Sequence, residues 1–194
     1  MIRKPDNYDQ AQAYTGEFET IAPGGYICVI KKAEAVTTAK EKLSMLRILF
    51  DIAEGDSKGF YERQWKSDEG RANRKWRGVY NQITEGKSVP FFKGLITSIE
   101  ESNAGYKWNW DETTLEGKLF GGVFGREQYR KQDGNLAMAT KCVSIRSVKA
   151  IRDGVEAPED KLLTLDDTYD APHPLSTAPT ANWQELKSDD ELPF

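Results

Sequence analysis

Ser88-Val89-Pro90-Phe91-Phe92-Lys93-Gly94-Leu95-Ile96-Thr97-Ser98-Ile99 is the stretch on which the fold turns. Ser88 can cap a helix that starts near Pro90, where the missing proline N–H costs nothing. Phe92, Leu95, Ile96 and Ile99 then recur at i, i+3, i+4 and i+7, an apolar stripe that belongs in a core. Asn103-Ala104-Gly105 ends this helix. Upstream lie three strand-like runs. The first is about Gly25 to Val36, opened by the turn Ala22-Pro23-Gly24-Gly25, and the second is about Leu43 to Ala53, with Ile48, Phe50 and Ile52 on one face. The third is Phe60 to Trp65, followed by a polar, basic loop from Lys66 to about Gly78. Downstream come two more, about Gly117 to Tyr129 and about Leu136 to Val148, joined by the turn Gln132-Asp133-Gly134-Asn135.

Three strands, a helix and two strands is the order of the OB-fold, a mainly-β five-stranded barrel with one helix between strands 3 and 4. Gly117, Gly121, Gly122 and Gly125 fall in one strand, where they permit the sharp bend or close backbone approach that a small barrel needs. Gly121-Gly122-Val123-Phe124-Gly125 lacks the spacing and the Lys-Ser/Thr pair of a phosphate loop.

The chain has 194 residues, enough for one ordinary domain with appendages. Charged residues make up 30% and mean hydropathy is -0.66, and no apolar run has the length of a membrane span, so a soluble, cytoplasmic protein is expected. Met1-Ile2-Arg3-Lys4-Pro5 is not followed by the apolar stretch of a signal peptide. Cys28 and Cys142 lie in separate strands and read as buried free thiols, with a disulfide left open. The single histidine, His173, sits in a proline-rich stretch, so no metal site and no cofactor are expected.

Charge divides the chain. Asp153 to Phe194 holds 11 acidic residues against two lysines, a net of -9, whereas Met1 to Arg152 holds 25 basic and 20 acidic residues, a net of +5. A basic body with an acidic tail suits a body that meets a polyanion and a tail that does not. Asp170 to Thr180 is rich in Pro, Ser and Thr and cannot bury enough surface to offset ordering. The expected organisation is a flexible arm over 1–16, a barrel over 17–152 and a disordered acidic tail over 153–194. Trp183 and Leu186 punctuate that tail, either as a second contact or as incidental linker residues.

The last residues, Asp189-Asp190-Glu191-Leu192-Pro193-Phe194, have a recruitment chemistry of their own. Phe194 can fill an apolar pocket, its carboxylate can meet an Arg or Lys, the acidic run adds a second contact, and Pro193 limits the freedom lost on binding. This ending resembles the tip of bacterial single-stranded DNA-binding proteins. Segments of the body resemble proteins of this kind from bacteriophages or mobile elements of Gram-positive hosts. They are Phe18 to Tyr26, Phe50 to Gly55, Phe91 to Ile96, Ile99 to Asn103, Leu115 to Leu119 and Arg146 to Arg152, within a span of about residues 14 to 152. The resemblance implies a non-enzymatic, sequence-independent coat for single-stranded DNA in replication and recombination, whose tip recruits replication, recombination and repair proteins. It does not carry over the tetramer interface of the cellular proteins, and homo-oligomerisation stays open.

A single strand needs cations for its phosphates and aromatic faces for its bases. Between Phe60 and Tyr80, the aromatic residues Trp65, Trp76 and Tyr80 interleave with Arg63, Lys66, Arg71, Arg74, Lys75 and Arg77. Trp76, flanked by cations, is the best-placed stacking residue, although Trp65 and Tyr80 can equally anchor the loop. The hairpin with Arg126, Tyr129, Arg130 and Lys131 is a second candidate, because OB-folds grip strands partly with this loop. Tyr106, Trp108 and Trp110 alternate, either as a platform or, as preferred, as a plug for the barrel bottom. The carboxylate pairs Glu100-Glu101 and Asp111-Glu112 have no Lys or His at a recognisable nuclease spacing, and catalysis is not expected. The competing readings are an adaptor that only displays the tail, and an RNA-binding or strand-annealing protein.

Overall fold

The computed structural model describes residues 2–4, 8–9, 19–70, 74–131 and 133–163. The elements run β1 (Gly24–Thr37), β2 (Ser44–Ile52), α1 (Phe60–Ser67), β3 (Val79–Ile83), α2 (Val89–Ser102), β4 (Leu119–Arg130), β5 (Leu136–Arg146) and α3 (Val148–Asp153). All five strands join one antiparallel sheet in the order β3-β2-β1-β4-β5. The long strand β1 is shared: Gly24 to Val29 pair with β4, and Cys28 to Thr37 pair with β2 across a bulge after Ile30.

One core lies on the inner face. Phe50 of β2 meets the rings of Phe120 and Phe124 of β4 and of Tyr61 of α1 edge-on. Cys142 and Ile145 of β5 join the same cluster, and Val79 and Tyr80 of β3 pack against it. Helix α2 buries Phe92, Leu95 and Ile99 of the stripe read from sequence, with Ile96 partly buried against the same core, and touches β3, β4 and β5. The hydrogen-bonded sheet is open, with β3 and β5 as its edges, so the expected closed barrel is not what the strand pairing describes. The edges nevertheless share a core and a helix. Burial, and then the nearby Cys142 of the opposite edge, push the Tyr80 hydroxyl up to about 12. Because folding raises this pKa, the stability it carries is present below the ordinary tyrosine value and is lost as pH rises from about 10 towards 12. Ring-labelled tyrosine NMR, assigned with Tyr80→Phe, should show this phenol titrating near the upper end; a midpoint near 10 would mean that the Tyr80 hydroxyl is exposed to water in solution.

Phe60 to Trp65 is not the third strand but the body of α1, and β3 forms after the expected loop, in Val79–Ile83, where no strand is expected from the sequence. Phe60, Tyr61 and Trp65 gather on one side of a helix. Its first turn is capped from a distance. The buried Asp51 carboxylate on β2 accepts the N–H of Ile52 at 2.8 Å, of Tyr61 at 2.9 Å and of Glu62 at 3.1 Å. Burial pushes this carboxyl above its ordinary value, and the three donors hold it back. Asp51→Ala strands buried donors at the start of α1 and is expected to cost about 2–3 kcal/mol in urea unfolding. A loss within experimental error would show that the cap is dispensable.

The segment 154–163, read as the start of a disordered tail, follows β4 instead. β1 pairs with β4 only as far as Phe124, which leaves the rest of that edge open. The later chain fills it: Lys161 N–H donates to Arg126 O at 2.9 Å, and Gln128 N–H donates to Lys161 O at 2.8 Å. Pro158 covers the outer face of Gly125, and Ile151 of α3 lies so close to Gly121 that a Cβ there would sit 2.3 Å from its Cγ1. Gly121 and Gly125 thus serve close approach to α3 and the segment after it, and Gly122 serves the approach of Phe124 and Cys28, whereas Gly117 lies before β4 at a left-handed φ of 74°. Cys28 and Cys142 are both buried and free. No helix among the described residues is long and apolar enough to cross a membrane. The remaining tail, with Trp183, Leu186 and the tip Asp189 to Phe194, lies outside the described residues, as does most of the arm.

Candidate nucleic-acid interface

The aromatic and basic residues from Arg63 to Tyr80 do not form the expected track. Trp65 and Trp76 are 5% and 3% exposed. They pack on each other at 6.3 Å between ring centroids, and the Trp76 indole N–H donates to Phe50 O at 3.0 Å. Neither presents a face to a base, so the stacking role given to Trp76 is corrected to a core role, and Trp65 is the anchor that the alternative described. Tyr80 is half-buried on the inner face of β3. Carboxylates answer at least three of the five described cations. Arg63 pairs with Glu19 and also donates to Lys58 O, and Lys66 meets Glu62 at 2.7 Å, one helical turn away. Arg77 meets Asp68 at 2.5 Å, and Arg74 lies 4.0 Å over the Trp65 ring while its Nε donates to Trp65 O. Lys75 is exposed. Arg71 lies outside the described residues.

The β4–β5 hairpin keeps more of its expected chemistry. Strand residues alternate between faces, so Arg126, Gln128 and Arg130 continue the inner face that carries Phe120 and Phe124 in the core. Their partners across the hairpin are Thr140, Met138 and Leu136. Beyond the core, the inner face therefore becomes a surface of two arginines beside the exposed apolar side chains of Leu136 and Met138. Lys131 follows, exposed, at the turn. Tyr129 points to the other face, opposite Ala137, and does not join the arginines. Arg126 also meets Asp160 of the segment along β4, its Nε donating at 2.8 Å, and Arg130 donates to Gly134 O at 2.8 Å.

At the other end of the sheet a groove of about 540 Å³ opens between the β1–β2 turn and α2. Its aromatic wall is Phe92, Trp108 and Trp110, all in ring contact. Tyr106 and Trp108 pack against the core as the preferred plug reading has it, but Trp110 is 78% exposed, with a left-handed φ of 70°. The loop is cross-braced: Trp108 Nε1 donates to Asp111 O at 2.9 Å, Trp108 N–H donates to Glu100 Oε1 at 3.0 Å, and Thr113 N–H donates to Asp111 Oδ1 at 3.0 Å. Hydrogen bonds from Lys107 and from Thr113 hold the Glu100 and Asp111 carboxyls below their ordinary ranges. Among the described residues, no three His, Cys, Asp or Glu side chains are grouped to hold a metal ion. The alternation of Tyr106, Trp108 and Trp110 signalled an aromatic cluster; the outward turn of Trp110 depends on a backbone conformation that residue type does not reveal.

Compared with known protein families and with curated proteins, the chain matches neither a family model nor a curated sequence.

Proposed function

We infer that the body is an OB-type domain that binds single-stranded DNA without catalysis and without sequence preference, coating it during replication and recombination. The observation that carries this reading is the sheet order β3-β2-β1-β4-β5 with α2 bridging both edges. A five-stranded barrel would have this order with its last seam between β3 and β5, and single strands are a common ligand of that architecture. The β4–β5 hairpin supports it by extending Arg126 and Arg130 past the core beside exposed apolar side chains, with Lys131 at the turn. Cations there neutralise phosphates, and the apolar surface beside them meets bases or sugars. The surplus of basic residues before Asp153 has the sign such a body needs. The acidic stretch Asp189 to Phe194 is the proposed recruiter of replication, recombination and repair enzymes, with Leu192 and Phe194 as its apolar contacts.

The adaptor reading, in which the body only displays the tail, draws on one observation: Glu19, Glu62 and Asp68 already pair with cations around α1. Nuclease protection separates the two. A coating protein shields an oligonucleotide from a single-strand nuclease in proportion to protein added, whereas cleavage unchanged at saturating protein would favour the adaptor.

A further inference from the structure

The geometry points to Trp110 as a stacking platform for one unpaired nucleobase, at the end of the sheet opposite the β4–β5 hairpin. This rests on the single-strand reading and adds a site to it. The centroids of Trp108 and Trp110 are 4.9 Å apart and their planes differ by 39°. Two ring faces that sandwich a ligand must stand about twice an aromatic contact distance apart, roughly 7 Å. Nothing planar and no ammonium group fits between these rings, so they are not a cage. They form one supported wall: Phe92 meets Trp108 edge-on at 5.8 Å, and Trp110, tilted against Trp108, lines the groove and is largely exposed.

The backbone at Trp110 favours the same assignment. A φ of 70° is strained for a side chain of this size, and such strain gathers at functional positions. Burial of the indole does not compensate for it, since the ring is largely exposed. The groove also selects by charge. Its lining holds one carboxylate, Glu112, and no Lys or Arg, with Thr37 and Ser44 on its strand side. A phosphate is poorly served there, whereas a neutral base is accommodated. Lys40 and Lys42, exposed in the turn between Thr37 and Ser44 with Glu41 between them, are the nearest cations in the chain to that strand side and would serve the backbone of a strand whose base has entered the groove.

The test uses the full chain with 5-fluorotryptophan incorporated, its Trp110 resonance assigned with Trp110→Phe. On addition of oligo-dT the Trp110 signal should move upfield while those of Trp65 and Trp76 hold their positions. Trp110→Ala should weaken oligo-dT binding about tenfold by anisotropy, and Trp110→Phe should weaken it less. Trp110→Gly should also weaken binding while raising the melting temperature by about 3 °C, because glycine relieves the left-handed backbone. That opposition between binding and stability is not expected of a residue that serves structure alone. Wild-type protein that binds oligo-dT as tightly as Trp110→Ala would overturn the platform and leave the single-strand reading standing. A wild-type protein with no affinity for oligo-dT would overturn both, and the wall would then fit a planar side chain of a protein partner.

Discussion

Replacing Arg126, Arg130 and Lys131 together with alanine is expected to weaken oligo-dT binding about a hundredfold at 0.1 M salt. A phosphate contact on a single strand releases about 0.7 of a counterion, so at this salt each contact contributes about 0.7 of a logarithmic unit. Three contacts multiply to roughly two such units, and the slope of log K against log salt should shallow by about 2. The three side chains project beyond the core, so their truncation leaves the packed face of β4 and β5 in place. The informative control is the pair Arg63→Ala and Lys66→Ala, which removes cations that Glu19 and Glu62 already answer. Each of those carboxylates would have to be released before its partner could neutralise a phosphate, and affinity should change less than about threefold. The opposite pattern, a weak hairpin effect and a strong α1 effect, would move the interface to α1. Asp160 complicates the hairpin in an instructive way, because Arg126 must exchange that carboxylate for a phosphate. Asp160→Asn should therefore strengthen binding modestly.

Gly78→Ala is expected to be the most damaging single methyl in the body, destabilising it by about 3 kcal/mol or more. A Cβ at this position would lie 2.2 Å from the carbonyl oxygen of Phe50 and 2.6 Å from the ring of Tyr61. Neither neighbour can retreat cheaply. The Phe50 carbonyl accepts the Trp76 indole N–H, and the Phe50 N–H donates to Gly78 O at 2.8 Å. Phe50 itself carries the ring contacts to Phe120, Phe124 and Tyr61 around which the core is built. Relief of the clash thus displaces either the centre of β2 or the approach of α1. Gly94→Ala is the matched comparison, since nothing lies within 4 Å of its Cβ position on α2. Helix propensity alone should then stabilise it by about 0.5–1 kcal/mol. Urea midpoints with an unchanged slope would measure both effects. A neutral Gly78→Ala would mean that α1 and β2 sit farther apart than described.

Legibility of the sequence followed the range of the forces involved. β1, β2, β4 and β5 were readable because apolar residues and turn residues repeat locally, and α2 because its stripe runs for several turns. α1 was not, since six residues from Phe60 to Trp65 are too few to separate a period of two from one of 3.6, and its cap comes from Asp51 on another strand. β3 was missed because Asn81 and Gln82 give Val79–Ile83 no apolar signature; pairing with β2 defines it. Likewise, nothing local marks 154–163 as the cover for the open edge of β4. At the candidate site, the cations from Arg63 to Arg77 suggest a basic track only when Glu62 and Asp68, in the same stretch of chain, are left out of account. The pairing of Glu62 with Lys66 was visible as a helix spacing once α1 was a helix. The separation of Tyr129 from Arg126 and Arg130 follows from strand alternation alone and was readable without coordinates.

The central claim, that the body binds single strands, is tested most directly by fluorescence anisotropy. Labelled oligo-dT is titrated with the full chain at two salt concentrations, beside duplex DNA of equal length and oligo-rU. Saturable binding to oligo-dT that weakens with salt, and is much weaker on the duplex, is the predicted result. Equal affinity for duplex and single strand would reduce the interface to a general polyanion surface, and no binding to oligo-dT at low salt would contradict the account.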